Sequence, residues 1–280
     1  MSQNHNPLRQ FFRQPAIYLR LPTGGQHWPE GSLEMPQNGE LPVYPMTAID
    51  EITYRTPDAL FSGQAVVNVI QSCVPAVKNA WLAPTTDLNS ILVAIRIASY
   101  GHDLDIEVTC PSCNTAEEFA LDLRHALDQL TMPDFSGTVT YGSLEIYFQP
   151  MSYQQQNSVN LEQFENTRMM RNITESDLPE DQKLEKLTEV MQKLTELTMR
   201  ALKFSISAIR TPDAVVTDPE HIEEFLRHCD RTVFVKIRDH AVELRNSTEL
   251  KPVHVTCSNC KHEYDQQLNL DLASFFETAS

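Results

Sequence analysis

Two Cys-x-x-Cys pairs, far apart in the chain, constrain this sequence more than any other feature. The first lies in EVTCPSC (107–113) and the second in HVTCSNC (254–260), so Val-Thr-Cys-x-x-Cys occurs twice. The residues between the pairs, 114–256, make up about half of the 280-residue chain. Each pair must therefore either form a site of its own, or the fold must bring the two pairs together at one site.

Both pairs lie in segments with the pattern of a β-hairpin. In each, a strand-like run enters the cysteine turn, an aromatic residue follows (Phe119 or Tyr264), and a second run ends in Leu-Asp-Leu. Asn114 follows the first pair, where a left-handed backbone is often needed, whereas Lys261 follows the second and suits that conformation less well. We predict two matching hairpins with a cysteine pair at each tip.

Two such hairpins, each providing two thiolates, are typical of a zinc ribbon with tetrahedral four-cysteine coordination. The predicted ligands of one Zn²⁺ per chain are Cys110, Cys113, Cys257 and Cys260. Four thiolates fill a tetrahedral site and leave no position for a water nucleophile. The predicted metal is therefore structural rather than catalytic.

Other interpretations of the cysteine pairs stay open at this point, among them a degenerate turn without metal and a thiol redox motif. A redox pair is expected at the N-terminus of a helix, which lowers the thiol pKa, but both pairs follow strand-like segments. Two separate disulfides are disfavoured, because the N-terminus lacks a secretory signal and we expect synthesis in a reducing cytoplasm.

The remaining cysteine and histidine candidates are less specific. His262 lies close to Cys260 and is an alternative ligand, although a solvated loop histidine is the favoured interpretation. His221 and His228 share one face of a short helix, with Cys229 directly after, but no second cluster of ligands is evident. Cys73 is expected to be a small buried hydrophobic residue near a helix end.

Helix signals dominate the stretch before the first cysteine pair. A short strand is predicted within 15–22 and a polar loop over 23–40. Thr47 and Asp50 form a capping-box pattern that predicts a helix start. A second helix is predicted from an N-cap at Thr56, with Pro57 at its first position, to a stop at Pro75.

A third helix is expected from a Thr/Asp cap at 85–87 to Gly101.

Strands and helices alternate in the long segment between the cysteine pairs. Two strands are predicted within 137–150, joined near Tyr141 and Gly142. Residues 184–204 have an apolar stripe at helical spacing that includes Leu184 and Met191, and that suits either an internal core or a partner helix. A further helix is expected to begin at Asp218 and Pro219.

The predicted fold class is α+β, with a helical N-terminal part and a four-cysteine zinc ribbon split by a strand-and-helix insertion. The expected regions are an N-terminal strand and helical region (1–102), two ribbon halves (103–130 and 248–280), and an inserted strand and helix region (131–247). The zinc would close a loop that contains the whole insertion.

Composition and motifs exclude several classes of function. The net charge of −16 argues against nucleic-acid binding, which needs a basic face. No apolar run is long enough to cross a membrane. GxxxxGK[ST], GxGxxG, HExxH and GxSxG are absent from the sequence, so we expect neither enzymatic activity nor a small-molecule substrate.

Long strings of residues carry a resemblance to a known family. LPVYPMTAIDEITYRTPDALFSGQAVVNVIQSCVP (41–75), TDLNSILVAIRIASYG (86–101) and VTCPSCN (108–114) are similar to the T4-type bacteriophage baseplate proteins, hub-associated baseplate components of contractile-tailed phages. The resemblance extends over most of the chain, from about residue 15 to the second cysteine pair.

The resemblance implies a structural or assembly role in the phage tail without catalysis. It implies other baseplate and tail proteins as partners, and a place in the tail baseplate of the virion after synthesis and assembly in the host cytoplasm. The alternative is a phage-encoded nucleic-acid-binding zinc ribbon with a regulatory role, which the net charge disfavours.

Overall fold

A computed structural model of the chain describes residues 7–55, 62–247, 251–266 and 275–276. Its α-helices are α1 (Ala48–Tyr54), α2 (Gln64–Cys73), α3 (Thr85–Tyr100), α4 (Leu123–Gln129), α5 (Tyr153–Thr174), α6 (Glu180–Ser205), α7 (Pro219–His228) and α8 (Arg231–Asn246). Its strands are β1 (Ile17–Leu19), β2 (Leu41–Val43), β3 (Asp103–Thr109), β4 (Ala116–Asp122), β5 (Thr138–Tyr141), β6 (Leu144–Phe148), β7 (Ile206–Arg210), β8 (Val215–Val216), β9 (Val253–Thr256) and β10 (Glu263–Gln266). The predicted α+β class is confirmed.

The strands form small antiparallel sheets. β1 pairs with β2, β3 with β4, and β9 with β10, while β5, β6, β7 and β8 form one four-stranded sheet in that order. The two hairpins that carry the cysteine pairs are thus confirmed over 103–122 and 253–266. The Leu-Asp-Leu predicted to end the second hairpin, at 270–272, lies outside the described residues.

Several helix boundaries follow their predicted capping residues. Thr47 and Asp50 form a complete capping box at the start of α1, and the Asp218 side chain accepts from two backbone N–H groups at the start of α7, which has Pro219 at its first position. α2 ends at Cys73, in agreement with the predicted stop at Pro75, but the prediction of helix through 62–63 is wrong, because α2 begins at Gln64 after Gly63. The predicted cap residues Thr56 and Pro57 lie outside the described residues.

The predicted Thr/Asp cap of α3 is also wrong. The N-cap position is occupied by Pro84, and no side chain caps the helix. Asp87 is fully buried, and its carboxylate accepts hydrogen bonds from the Thr23 backbone N–H (3.0 Å), the Thr23 hydroxyl and Trp28 Nε1 (2.7 Å). Asp87 therefore anchors the polar 23–40 loop onto α3.

Burial and hydrogen bonding oppose each other at Asp87. Desolvation by burial raises the pKa of the carboxyl group, and hydrogen bonds from Thr23 and Trp28 lower it without cancelling that increase. The hydrogen bonds from Thr23 and Trp28 therefore stabilise the ionised form of this buried carboxylate. The irregular loop, which has no helix or strand over 23–40 as predicted, is fixed by a buried polar contact.

Two clusters of buried apolar side chains form the cores of the molecule. The first core is centred on α2 and α3 and includes residues of β1, β2, β4 and α4. The second core lies between β6 and β7 on one side and α7 and α8 on the other. α3 is buried on nearly all sides, from Thr86 to Arg96, as expected for a central helix.

α5 and α6 are long helices that pack against each other and are joined by residues 175–179. The buried residues of α6 are Val190, Leu197 and Leu202. Leu184 and Met191, which belonged to the predicted apolar stripe, are 68% and 57% exposed. The apolar stripe is thus only partly internal, and its exposed residues keep the alternative of a partner helix open.

The C-terminal segment returns to the first core. Phe275 and Phe276 are buried there, and the Phe276 ring packs edge-on against Tyr54 with centroids 4.7 Å apart. The buried Arg96 donates a hydrogen bond from Nε to the Phe275 carbonyl (3.1 Å). Residues before and after segment 131–247 therefore share one core.

Substitution Thr23→Val tests the anchor at Asp87. We expect a loss of about 1.5–3 kcal/mol in the free energy of unfolding at neutral pH, because a charged, buried acceptor loses a donor. The loss should shrink on acidification, since the variant raises the Asp87 pKa further and a protonated carboxyl group needs the donor less. Urea titrations at several pH values measure this effect.

Thr188→Val, at an exposed position of α6, is the matched control for the hydroxyl deletion. Equal stability of Thr23→Val and wild type would contradict the anchor.

Candidate metal centre

Cys110 and Cys113 lie in the tight turn between β3 and β4. The Asn114 backbone N–H donates to the Cys110 carbonyl (2.9 Å), and the Cys110 backbone N–H donates to the Thr115 carbonyl (3.0 Å). Asn114 has a φ of 53°, in the left-handed region that asparagine tolerates. The sequence prediction for this position is therefore confirmed.

The second turn, between β9 and β10, repeats this backbone geometry. The Lys261 N–H donates to the Cys257 carbonyl (3.0 Å), and the Cys257 N–H donates to the His262 carbonyl (2.9 Å). Lys261 has a φ of 61°. A left-handed conformation costs a residue with a side chain such as lysine roughly 1–2 kcal/mol, so the second turn carries local strain.

The fold brings the two turns together at their cysteines. The Sγ atoms of Cys110 and Cys260 are 3.7 Å apart, and those of Cys113 and Cys257 are 3.6 Å apart. All four sulfurs lie within 4.8 Å of one another. Cys110 and Cys257 are buried, Cys113 is half-buried, and Cys260 is exposed.

These distances fit a tetrahedral thiolate site. Four sulfurs at about 2.3 Å from a central Zn²⁺ are about 3.8 Å from each other, close to the separations between the hairpins here. In the part of the chain that the structure describes, this is the group of metal-ligating side chains close enough to hold an ion. The donor set is all sulfur, which suits Zn²⁺ or another thiophilic ion.

The pKa values of Cys113 and Cys257, one thiol from each turn, are shifted in opposite directions. Hydrogen bonds with the Thr115 side chain and backbone lower the pKa of Cys113 to about 6. A backbone hydrogen bond from Cys260 lowers the pKa of Cys257, but the hydrogen bond to the Glu117 carboxylate and desolvation raise it to about 12. Cys113 is therefore the thiol of this pair that ionises first.

Two polar residues that the sequence analysis missed connect the hairpins. Glu117 of β4 accepts from the Cys257 thiol and the Ser258 backbone N–H, each at 3.0 Å. Asn259 donates from Nδ2 to Thr115 Oγ1 (3.1 Å) and approaches Cys113 Sγ (3.7 Å). A glutamate and an asparagine near cysteines are too common to have signalled this role.

The other predicted cysteine and histidine positions lie away from the cluster or do not join it. Cys73 is buried in the first core, as predicted. His262 is exposed and stacks on the Tyr264 ring, in agreement with its interpretation as a solvated loop residue. His221 and His228 are exposed on α7.

Comparison with known proteins identifies the family. The model of a protein family described as T4 bacteriophage base plate protein matches residues 33–277. Searches of curated proteins and of solved structures each found no match. Among helices in the described ranges, none combines the length and apolar character that a bilayer-spanning segment needs.

The matched range covers most of the chain, including both cysteine pairs, and confirms the resemblance seen in the sequence. This chain belongs to the T4 bacteriophage base plate protein family.

Proposed function

We propose that this protein is a non-enzymatic structural or assembly component of the baseplate of a contractile phage tail. The family match over 33–277 is the observation that carries this role. In this proposal the protein is found in the tail baseplate, and its partners are other baseplate and tail proteins rather than a nucleic acid, a membrane or a small-molecule substrate.

The proposed metal centre is a structural Zn²⁺ held by the four clustered cysteines. The separations between sulfurs support this assignment, and four thiolates leave no coordination position for a substrate or a reactive water. The two hairpins together form a zinc ribbon split by the residues between them. Isolated two-stranded hairpins are marginal in water, so a metal adds order where the apolar cores do not reach.

The proposed domain organisation follows from this ribbon. The ribbon halves, 103–130 and 248–280, flank an inserted region, 131–247, after an N-terminal region, 1–102. The second core draws its buried residues from within 131–247, which supports treating that segment as a unit.

The long helices α5 and α6 are the proposed docking elements for neighbouring baseplate proteins. They leave large apolar side chains exposed, among them Phe164 (51%) on α5 and Leu184 on α6. Scattered exposed apolar residues are normal, but several along one helix pair suit an assembly protein.

The metal centre predicts about one zinc per chain in the purified protein. Cys110→Ser should abolish stoichiometric zinc and lower the Tm, because each kcal/mol of lost stability shifts the Tm of a large domain by roughly 2–4 °C. Elemental analysis and thermal unfolding under reducing conditions measure both quantities. Cys229→Ser, outside the cluster, is the matched control.

Absence of zinc from the wild type, or a Cys110→Ser variant with unchanged Tm, would contradict the structural metal.

The strained second turn predicts that Lys261→Asn stabilises the protein. Asparagine tolerates the left-handed conformation better, as at Asn114, so we expect a gain of up to about 1 kcal/mol in the free energy of unfolding. Urea unfolding measures the gain. Lys251→Asn, exposed and outside the turn, controls for the lost charge, and a destabilised Lys261→Asn variant would argue against strain there.

The baseplate role predicts that the protein is found in purified virions or in baseplate assembly intermediates. Mass spectrometry of both fractions, and cryo-electron microscopy of tails, would locate it and identify its neighbours. Presence only in intermediates would indicate an assembly role, and absence from both fractions would overturn the proposal.

A further inference from the structure

We propose that Glu117 and Asn259 are positioning residues that hold the two cysteine hairpins in register, and we call this pair of contacts the cross-hairpin clasp. The inference rests on the proposed metal centre for its effect on metal affinity. The contacts themselves join polar groups of the protein.

The first half of the clasp runs from the first hairpin to the second. Glu117 reaches from β4 to the second turn, where both of its carboxylate oxygens lie 3.0 Å from the Ser258 backbone nitrogen. Oε1 also accepts from the protonated Cys257 thiol (3.0 Å), but a metal-bound thiolate would have no proton to donate, so the clasp depends on the Ser258 N–H. Glu117 thus fixes the backbone at the point where the second cysteine pair turns.

The second half runs in the opposite direction. Asn259, between the two cysteines of the second turn, donates to Thr115 Oγ1 in the first hairpin (3.1 Å). Thr115 Oγ1 in turn lies 3.2 Å from Cys113 Sγ, so Asn259 also orients the residue that contacts a proposed ligand. Each hairpin therefore supplies one side chain that fixes the turn of the other.

The clasp matters because no backbone pairing joins the hairpins in the described residues. β3 and β4 form one two-stranded sheet, and β9 and β10 form another. Neither sheet sets the position of the other, yet a tetrahedral thiolate site requires the four sulfurs to converge within tenths of an ångström. Residues outside the ligand set that orient ligands typically affect metal affinity about 10–100-fold.

The test measures Zn²⁺ affinity of the full chain by competition with a chromophoric chelator. Glu117→Ala and Asn259→Ala should each weaken Zn²⁺ binding by about 10–100-fold while keeping its stoichiometry. Glu117→Gln should restore most of the affinity, because its amide oxygen still accepts from the Ser258 N–H. An effect of the lost negative charge alone would not be rescued in this way.

Neighbouring residues provide matched controls. Glu118→Ala removes an exposed carboxylate at the next position of β4, and Ser112→Ala removes an exposed hydroxyl from the first cysteine turn. Both controls should bind Zn²⁺ as the wild type does.

A second readout separates the clasp from the metal centre. In chelator-treated protein, amide hydrogen exchange at Ser258 should be faster in Glu117→Ala than in wild type or Glu118→Ala, since the amide loses its acceptor. If the wild type binds no Zn²⁺ but Ser258 exchange is still faster in Glu117→Ala, the metal centre is overturned and the clasp is kept. Unchanged affinity in both alanine variants, or unchanged Ser258 exchange in Glu117→Ala, would overturn the clasp.

Discussion

The return of the C-terminal segment to the N-terminal third of the chain is the contact on which the rest of the structure depends. It brings Phe275 and Phe276 into the first core and sets the second cysteine hairpin against the first. Residues on both sides of segment 131–247 therefore contribute to the first core. The same return makes two remote cysteine pairs into one cluster.

The local parts of this arrangement were predictable from the sequence. Each cysteine turn is encoded within about seven residues, and the matching of the two turns pointed to a shared site. Capping residues such as Asp218 likewise act within one helical turn and were identified correctly. The fold class followed from the same local signals.

Long-range contacts were not predictable in the same way. Asp87 lies where a helix cap is common, but its carboxylate is taken up by Thr23 and Trp28, more than fifty residues earlier. Glu117 and Asn259 similarly act on residues of the other hairpin. A single sequence shows the residue type at such positions but does not show which distant residue it contacts.

The spacing of apolar residues predicted helices but did not show which elements pack against them. The stripe on α6 was compatible with any neighbour, and only the packed structure shows that Val190 is buried while Met191 is exposed. α8 was missed, although Val233, Ile237 and Leu244 form a buried face at helical spacing. Ala241 lies between them on the same face and the charged residues of α8 stand at other positions, so this signal was present in the sequence.

Approximate free energies distinguish what the apolar core contributes to the return of the C-terminal segment from what a metal would contribute to the cysteine hairpins. Closing a loop of about 150 residues costs on the order of 5 kcal/mol, and burial of two phenylalanine side chains contributes about 3–6 kcal/mol. Apolar contacts alone are therefore of the same order as the closure cost.

The hairpins that carry the cysteines have a different requirement. Their strands are mostly exposed on one face or both, and the cross-hairpin hydrogen bonds contribute only about 0.5–3 kcal/mol each. A structural zinc site, at about 10–16 kcal/mol in small fingers, exceeds every other local term here. The core thus determines that the hairpins meet, the clasp determines their register, and a bound metal would make that register rigid enough to present a fixed surface to neighbouring baseplate proteins.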